Sequence, residues 1–219
     1  MINDSDFVKY VAKLVIQEIE QMGYTTEKSS TKMVPVGISA RHVHLQTDHL
    51  ELLFGKGYKL THARDLSQPG QFAAKETVSL LGTRGKIDRI RILGPVRNST
   101  QVEIAASDAR TLGVPPVVRN SGDHYGTPGL TIIGPNGSIE LIRGVILADR
   151  HIHMSPRDAE SFCVKNGDRV KVLISGPRKG IIDNVAIRVN EEYRLDLHID
   201  TDEANAFLLN QGDELELIK

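Results

Sequence analysis

Ser39-Ala40-Arg41-His42-Val43-His44-Leu45 returns later in the chain as Ala148-Asp149-Arg150-His151-Ile152-His153-Met154. Each copy carries two histidines separated by one apolar residue. In an extended strand, side chains at i and i+2 leave the same face. Each copy read as a strand therefore presents two imidazoles side by side, a geometry that grips one metal ion. The repetition also sets the architecture. Two divergent copies of one unit, related by a pseudo-two-fold axis, place both histidine pairs near a shared interface.

The likeness extends beyond the histidines. A short helix is expected after each pair, over Asp48 to Phe54 and over Pro156 to Val164, closed by Gly55-Lys56-Gly57 and Asn166-Gly167-Asp168. Further on, Val102-Glu103-Ile104 followed by Ser107-Asp108-Ala109 matches Leu197-His198-Ile199 followed by Asp202-Glu203-Ala204. That match pairs Glu103 with His198. The candidate triads are His42, His44 and Glu103, and His151, His153 and His198. A histidine pair on a strand is more often a surface or capping feature. The duplication, with a matched third residue in each copy, turns the reading toward metal. Three protein ligands and one open position suit catalytic zinc; cobalt and manganese stay open. His49 and His62 read as surface residues, and His124 is left unassigned.

Outside the triads the chain reads as many short strands between turn signals, such as Gln68-Pro69-Gly70, Gly94-Pro95 and Pro115-Pro116. Mainly β structure, in barrels or a sandwich, is expected. From Met33, the residues Val34, Val36, Ile38, Ala40, His42 and His44 share one parity, as one strand face ending in the first histidine pair. Ser5 to Met22 reads as an amphipathic helix with Val8, Val11, Val15, Ile19 and Met22 on one stripe, widened by Ala12 and Ile16. A polar linker, Thr25 to Lys32, separates it from the body.

Composition narrows the function. The 219 residues are 40% hydrophobic but only 5% aromatic, without tryptophan, so the core is built of Val, Ile and Leu. A net charge of −1 gives no basic field for nucleic acid. No apolar stretch is long enough to cross a membrane as a helix, and no signal-peptide pattern opens the chain. The one cysteine, Cys163, forms no internal disulfide; it reads as a small buried hydrophobe in a protein of a reducing compartment.

Local cations are the remaining route to an anionic partner. Arg89 and Arg91 share one face of Lys86–Leu93, opposite Ile90 and Ile92. That face reads first as solvated, and otherwise as a dock for phosphate groups to which Arg64 and Arg84 add. Arg97 lies six residues before Glu103 and is a candidate anion clamp or a salt-bridge partner. The glycine-rich run Asn120 to Gly129 reads as a long turn.

At these residues the chain resembles the PduL-type phosphate propanoyltransferases, metal-dependent phosphotransacylases. The two histidine segments, Gly94-Pro95-Val96-Arg97-Asn98-Ser99, and the run from Leu195 to Asn205 carry the resemblance, which spans Val34 to Lys219. It implies exchange of acyl-CoA plus phosphate for acyl phosphate plus CoA, with propanoyl or acetyl as the acyl group. It implies two β-barrel domains capped by short helices: residues 33–46 plus 149–219 form one barrel and 47–148 the other. It implies two zinc ions, one on His42, His44 and Glu103 with the CoA sulfur, and one on His151, His153 and His198. By match, Arg97 binds phosphate, and Gln68, Gln71, Gln101, Ser121 and Arg188 line the active site. Ser39, Arg64, Arg91, Leu93, His198 and Asn205 match the CoA region. A homodimer in the bacterial cytoplasm is implied, as in propanediol degradation. Residues 1–32 resemble a segment that targets enzymes to the shell or core of a bacterial microcompartment. Two rivals remain: a zinc-dependent thioester or ester hydrolase, and a non-catalytic zinc-containing assembly protein of such a compartment.

Overall fold

The chain crosses between two β-sheets twice, each time just before a histidine pair. A computed structural model describes residues 8, 10, 11, 13–15, 17, 18, 22 and 32–218. Strand β1 (Met33–Ser39) lies in a closed barrel with β11 (His151–Met154), β12 (Arg169–Ile174), β13 (Gly180–Val189), β14 (Asp196–Asp200) and β15 (Glu214–Ile218). The barrel runs β1-β14-β11-β13-β12-β15 and closes through β15 onto β1. Strand β2 (His42–His44) belongs instead to the second sheet, between β5 (Lys86–Gly94) and β6 (Gln101–Glu103). This sheet follows the order β7-β10-β6-β2-β5-β4-β8-β9, with β3 (His62–Asp65) against β4 (Phe72–Leu81). Its remaining strands are β7 (Val118–Arg119), β8 (Leu130–Ile133), β9 (Ser138–Leu141) and β10 (Val145–Ala148). The result is mainly β structure, one closed barrel and one half-barrel sheet.

The first crossing corrects one expectation. The strand from Met33 does not run on into the histidines. It breaks at Ala40-Arg41, and His42–His44 is a separate strand of three residues. By strand pairing, Ser39 lies in the barrel and His42 in the second sheet. The second crossing, at Asp149-Arg150, takes the chain from β10 back into the barrel at β11.

Each sheet wraps its own core. Val43, Leu45, Ile90, Ile92, Val102 and Leu112 lie in one cluster, and Val34, Val36, Ile152, Met154, Val172 and Leu197 in the other. Val43 and Ile152, each between two histidines, are fully buried. One side of each histidine strand is thus anchored in oil, at about 1.5–3 kcal/mol per side chain, and period 2 sends both imidazoles to the other side. Residues 33–219 form one compact unit.

Four short helices follow the strands within residues 32–218: α1 (Thr47–Phe54), α2 (Ala106–Leu112), α3 (Pro156–Phe162) and α4 (Thr201–Phe207). The last two open with Ser155 and Asp200, whose side chains accept from the amides of Asp158 and Glu203. Cys163 ends α3 in the left-handed region and is exposed, not buried, because the turn that stops the helix points it outward. In the N-terminal unit, residues 8, 10, 11, 13–15, 17 and 18 are helical. The rest of the expected Ser5–Met22 helix except Met22, and the linker up to residue 31, lie outside the described residues. Among the described residues no helix is long and apolar enough to cross a membrane.

Candidate metal centre

Backbone register assembles both triads in the same way. In the antiparallel ladder of β2 and β6, His42 stands opposite Glu103 and His44 opposite Gln101. In the ladder of β11 and β14, His151 stands opposite His198 and His153 opposite Asp196. Directly opposed residues project side chains to the same face, so the third donor arrives beside the pair. In each triad the donor atoms all lie within 4.8 Å of one another. His42 Nε2 is 3.5 Å from Glu103 Oε2, and His44 Nε2 is 3.8 Å from Glu103 Oε1. A tetrahedral zinc with ligands about 2.0–2.1 Å away needs donors about 3.3–3.5 Å apart. The three rings of the second triad have centroids 4.6, 4.7 and 5.1 Å apart.

The surroundings prepare these donors. His42 Nδ1 donates to the Ala40 carbonyl at 2.9 Å and His151 Nδ1 to that of Asp149 at 2.7 Å, which fixes the ring and leaves Nε2 as donor to an ion. Asp196 Oδ2 lies 2.9 Å from His198 Nε2, so Nδ1 is the free nitrogen of that ring. Burial holds His44 down to about 3. Burial, with the Arg188 and His198 charges, does the same to His151, down to about 2. His153 is held to about 3 by burial and His198. Burial alone would lower His42 as well, but the charge and hydrogen bond of Glu103 raise it. Burial opposes ionisation of Glu103, yet His42, His44 and Arg97 hold its carboxyl well below the usual range. Near neutral pH His44, His151 and His153 are therefore neutral imidazoles and Glu103 is an ionised carboxylate, the forms that bind metal. His44 Nδ1 and His153 Nδ1 are buried without a hydrogen-bond partner. That cost is tolerated where a binding function fixes the ring. The donor sets fit a resident divalent ion such as zinc.

The arginine before each pair straps it down. Arg41 forks onto Asp108 of α2, with both contacts at 2.9 Å. Arg150 Nε meets Glu203 of α4 at 3.0 Å. Both acids lie in the first turn of the helix that follows the third donor. The two helices are themselves joined, since Ser107 donates through its amide and hydroxyl to Asp202 at 2.7 and 2.8 Å. A small cavity of about 30 Å³ touches both triads, lined by Ser39, Ala40, Glu103, His151, His198 and Asp200 among others.

Of the other expected site residues, several converge. Gln101 donates to Glu103 Oε1 at 2.6 Å and to Ser121 Oγ at 2.8 Å. Arg97 donates to Ser121 Oγ at 3.1 Å. Arg188 stands beside His153 in the β11–β13 ladder and donates to Asn120 at 2.8 Å. Gln68 is buried, but its amide is occupied. It donates to the Arg194 carbonyl at 3.0 Å and accepts from the Arg194 amide at 3.2 Å. Gln71 is half-buried and lies in the same turn, its amide donating to the Gln68 carbonyl. Arg91 spends its guanidinium on the carbonyls of Ala74 and Lys75. Arg64 is exposed on β3, Leu93 is half-buried on β5, and Asn205 is exposed on α4. Arg89 is exposed while Ile90 and Ile92 are buried, as a solvated face requires.

Several functional neighbours escape the sequence reading. Asp196 is legible as a second i, i+2 partner of His198, a carboxylate two residues before an imidazole. Gly37 is not. A Cβ there would meet Asp196 Oδ1 at 2.6 Å, so the glycine makes room for the buried carboxylate. His124 joins the network through Gln101 Oε1 at 3.1 Å. His49, expected at the surface, is half-buried, with Nδ1 2.8 Å from Thr100 Oγ1. His62 is exposed as expected.

The family model described as phosphate propanoyltransferase matches residues 35–210. A phosphate propanoyltransferase of Thermotoga maritima is 57% identical over 185 residues, covering 84% of this chain and 88% of the relative. Those of Priestia megaterium and Rhodobacter capsulatus are 47% and 46% identical over 203 and 211 residues. They cover 93% of this chain and 93% of the relative, and 96% and 95%, respectively.

Proposed function

This chain belongs to the phosphate propanoyltransferase family, and from that premise we propose that it exchanges propanoyl-CoA plus phosphate for propanoyl phosphate plus CoA, with acetyl-CoA as a second substrate. It is a phosphate acyltransferase. The observation that supports the finer reading is the pairing of two three-donor triads on one cavity, with Arg97 and Arg188 close by.

Two zinc ions are the proposed residents, on His42, His44 and Glu103 and on His151, His153 and His198. Bound there, zinc supplies Lewis acidity toward the thioester oxygen and the departing sulfur. The chain's own residues handle the phosphate. Arg97 and Arg188 keep their charge and orient a hydrogen phosphate dianion. One phosphate oxygen attacks the thioester carbon, the new C–O bond forms and the C–S bond breaks. The phosphate proton leaves with CoA as its thiol. Ser121 accepts from Gln101 and Arg97 and donates to Glu103 Oε1, so it ties the phosphate-binding arginine to the metal ligand. Orientation of this kind is worth about 7–11 kcal/mol in favourable cases. Gln68 and Gln71 shape the wall of the site, and Ser39, Leu93 and Asn205 form part of the CoA region with Arg64, Arg91 and His198.

The remaining proposals are coarser. Residues 33–46 with 149–219 and residues 47–148 are proposed as the two domains. A homodimer in the bacterial cytoplasm is proposed, with residues 1–32 directing it to a microcompartment. The test is thiol release from propanoyl-CoA and acetyl-CoA with and without phosphate, alongside metal content. Phosphate-dependent release with two zinc ions per chain is expected. Release without phosphate makes the protein a hydrolase, and no release with firmly bound metal makes it an assembly protein.

A further inference from the structure

Tyr193 lies against the second triad and has no role in the reading above. Its ring packs on His153 with centroids 4.3 Å apart. It is half-buried in the loop that links β13 to β14. Two contacts hold that loop in place. The Tyr193 amide donates to the Asn190 carbonyl at 3.1 Å. The next residue, Arg194, is clasped through both backbone groups by the buried Gln68 amide. A backbone gripped on both sides of one aromatic residue fixes where its phenol sits. Yet the hydroxyl has no hydrogen-bond partner among the described residues. The hydroxyl is not among the buried polar atoms, so it lies open to a ligand that enters from solvent. The Tyr193 phenol is also within electrostatic reach of both Arg97 and Arg188.

We propose that the Tyr193 hydroxyl is a catalytic donor to the phosphoryl group, acting with Arg97 and Arg188, and that the Gln68–Arg194 clasp is the device that aims it. The inference rests on the phosphotransacylase reading. A neutral donor beside two guanidiniums adds direction without adding charge. It binds a phosphate oxygen that does not attack, and so selects which oxygen faces the thioester carbon. No proton leaves Tyr193 in this role. Gln68 is then a positioning residue, acting through Tyr193 rather than on the substrate.

The test compares the full-length wild type with Tyr193→Phe, which keeps the ring on His153 and deletes only the hydroxyl. Phosphate-dependent thiol release from propanoyl-CoA is measured with each substrate varied in turn, together with zinc content and Tm. A hydrogen bond to a charged group is worth enough to expect kcat/KM for phosphate to fall about tenfold or more. KM for propanoyl-CoA, zinc content and Tm stay at wild-type values. Gln68→Ala, which frees the loop, raises KM for phosphate in the wild-type background and has little further effect on Tyr193→Phe. A kcat/KM for phosphate within twofold of wild type overturns the proposal, as does a loss that tracks lost zinc or a lower Tm. An inactive wild type overturns instead the function on which the proposal rests.

Discussion

His42 and Glu103 face each other across the β2–β6 ladder, with Nε2 and Oε2 3.5 Å apart. Neither side chain tolerates this arrangement alone. Burial penalises the Glu103 carboxylate, and the histidines and Arg97 offset it. In the other triad the equivalent position is His198, an imidazole, which is backed by Asp196. One site thus carries its negative charge on a ligand, and the other carries it one step behind.

Glu103→Gln separates these roles. The amide keeps the shape and removes the anionic donor from the first triad. Metal analysis of the variant should give one zinc per chain against two in the wild type, with phosphate-dependent turnover down by about 100-fold or more. Two retained zinc ions with normal turnover would show that Glu103 is no ligand.

Arg41→Ala removes the fork that ties β2 to α2. Asp108 is 4% exposed and would lose its cation while still accepting the Ala105 amide. Arg41 itself is partly exposed, so screening reduces the loss. About 1–3 kcal/mol of stability should go, read as a lower midpoint in urea unfolding at constant slope. The double variant Arg41→Ala with Asp108→Ala should recover part of it. An unchanged midpoint in the single variant would mean the strap contributes nothing.

The paired histidines were legible because strand period 2 is local, and the repetition raised them above coincidence. The third donors were legible for the same reason, since the matched strands carry them. The crossings at Ala40-Arg41 and Asp149-Arg150 were not. Parity along Val34 to His44 runs through the break unaltered, because the residues on both sides of it keep the same alternation. The Gln68–Arg194 clasp joins residues 126 positions apart through backbone groups, which no side-chain pattern announces. Gly37 carried no signal either. Its meaning appears only when Asp196 is seen lying where a Cβ would be.

Gly37→Ala tests that relationship. The new methyl would displace the Asp196 carboxylate from His198 Nε2 without touching a ligand. Loss of such a partner costs about 10–100-fold in metal affinity. Competition with a chelator should show weakened binding of one zinc, with the other unchanged. Equal retention of both ions would mean that Asp196 has no hold on the second site.

Acidification should destabilise the metal-free protein, and the sign follows from the lowered histidines. His44, His151 and His153 have folded values of about 3, 2 and 3, against 6.5 for an unfolded chain. Their neutral forms are favoured in the fold, so their contribution is complete above about pH 6.5. Below that, the unfolded chain takes up protons that the fold refuses, and stability falls as pH drops toward 3. His42 is raised and acts in the opposite direction, its contribution being present at low pH and lost as pH rises through its folded value. Five lowered histidines, His49 and His124 among them, against one raised decide the net sign. Chelator-treated protein should show a Tm that declines steadily from pH 7 to pH 5. Replacing His153 with glutamine should flatten that decline. A Tm that holds level or rises over this interval would contradict the buried neutral imidazoles on which both sites depend.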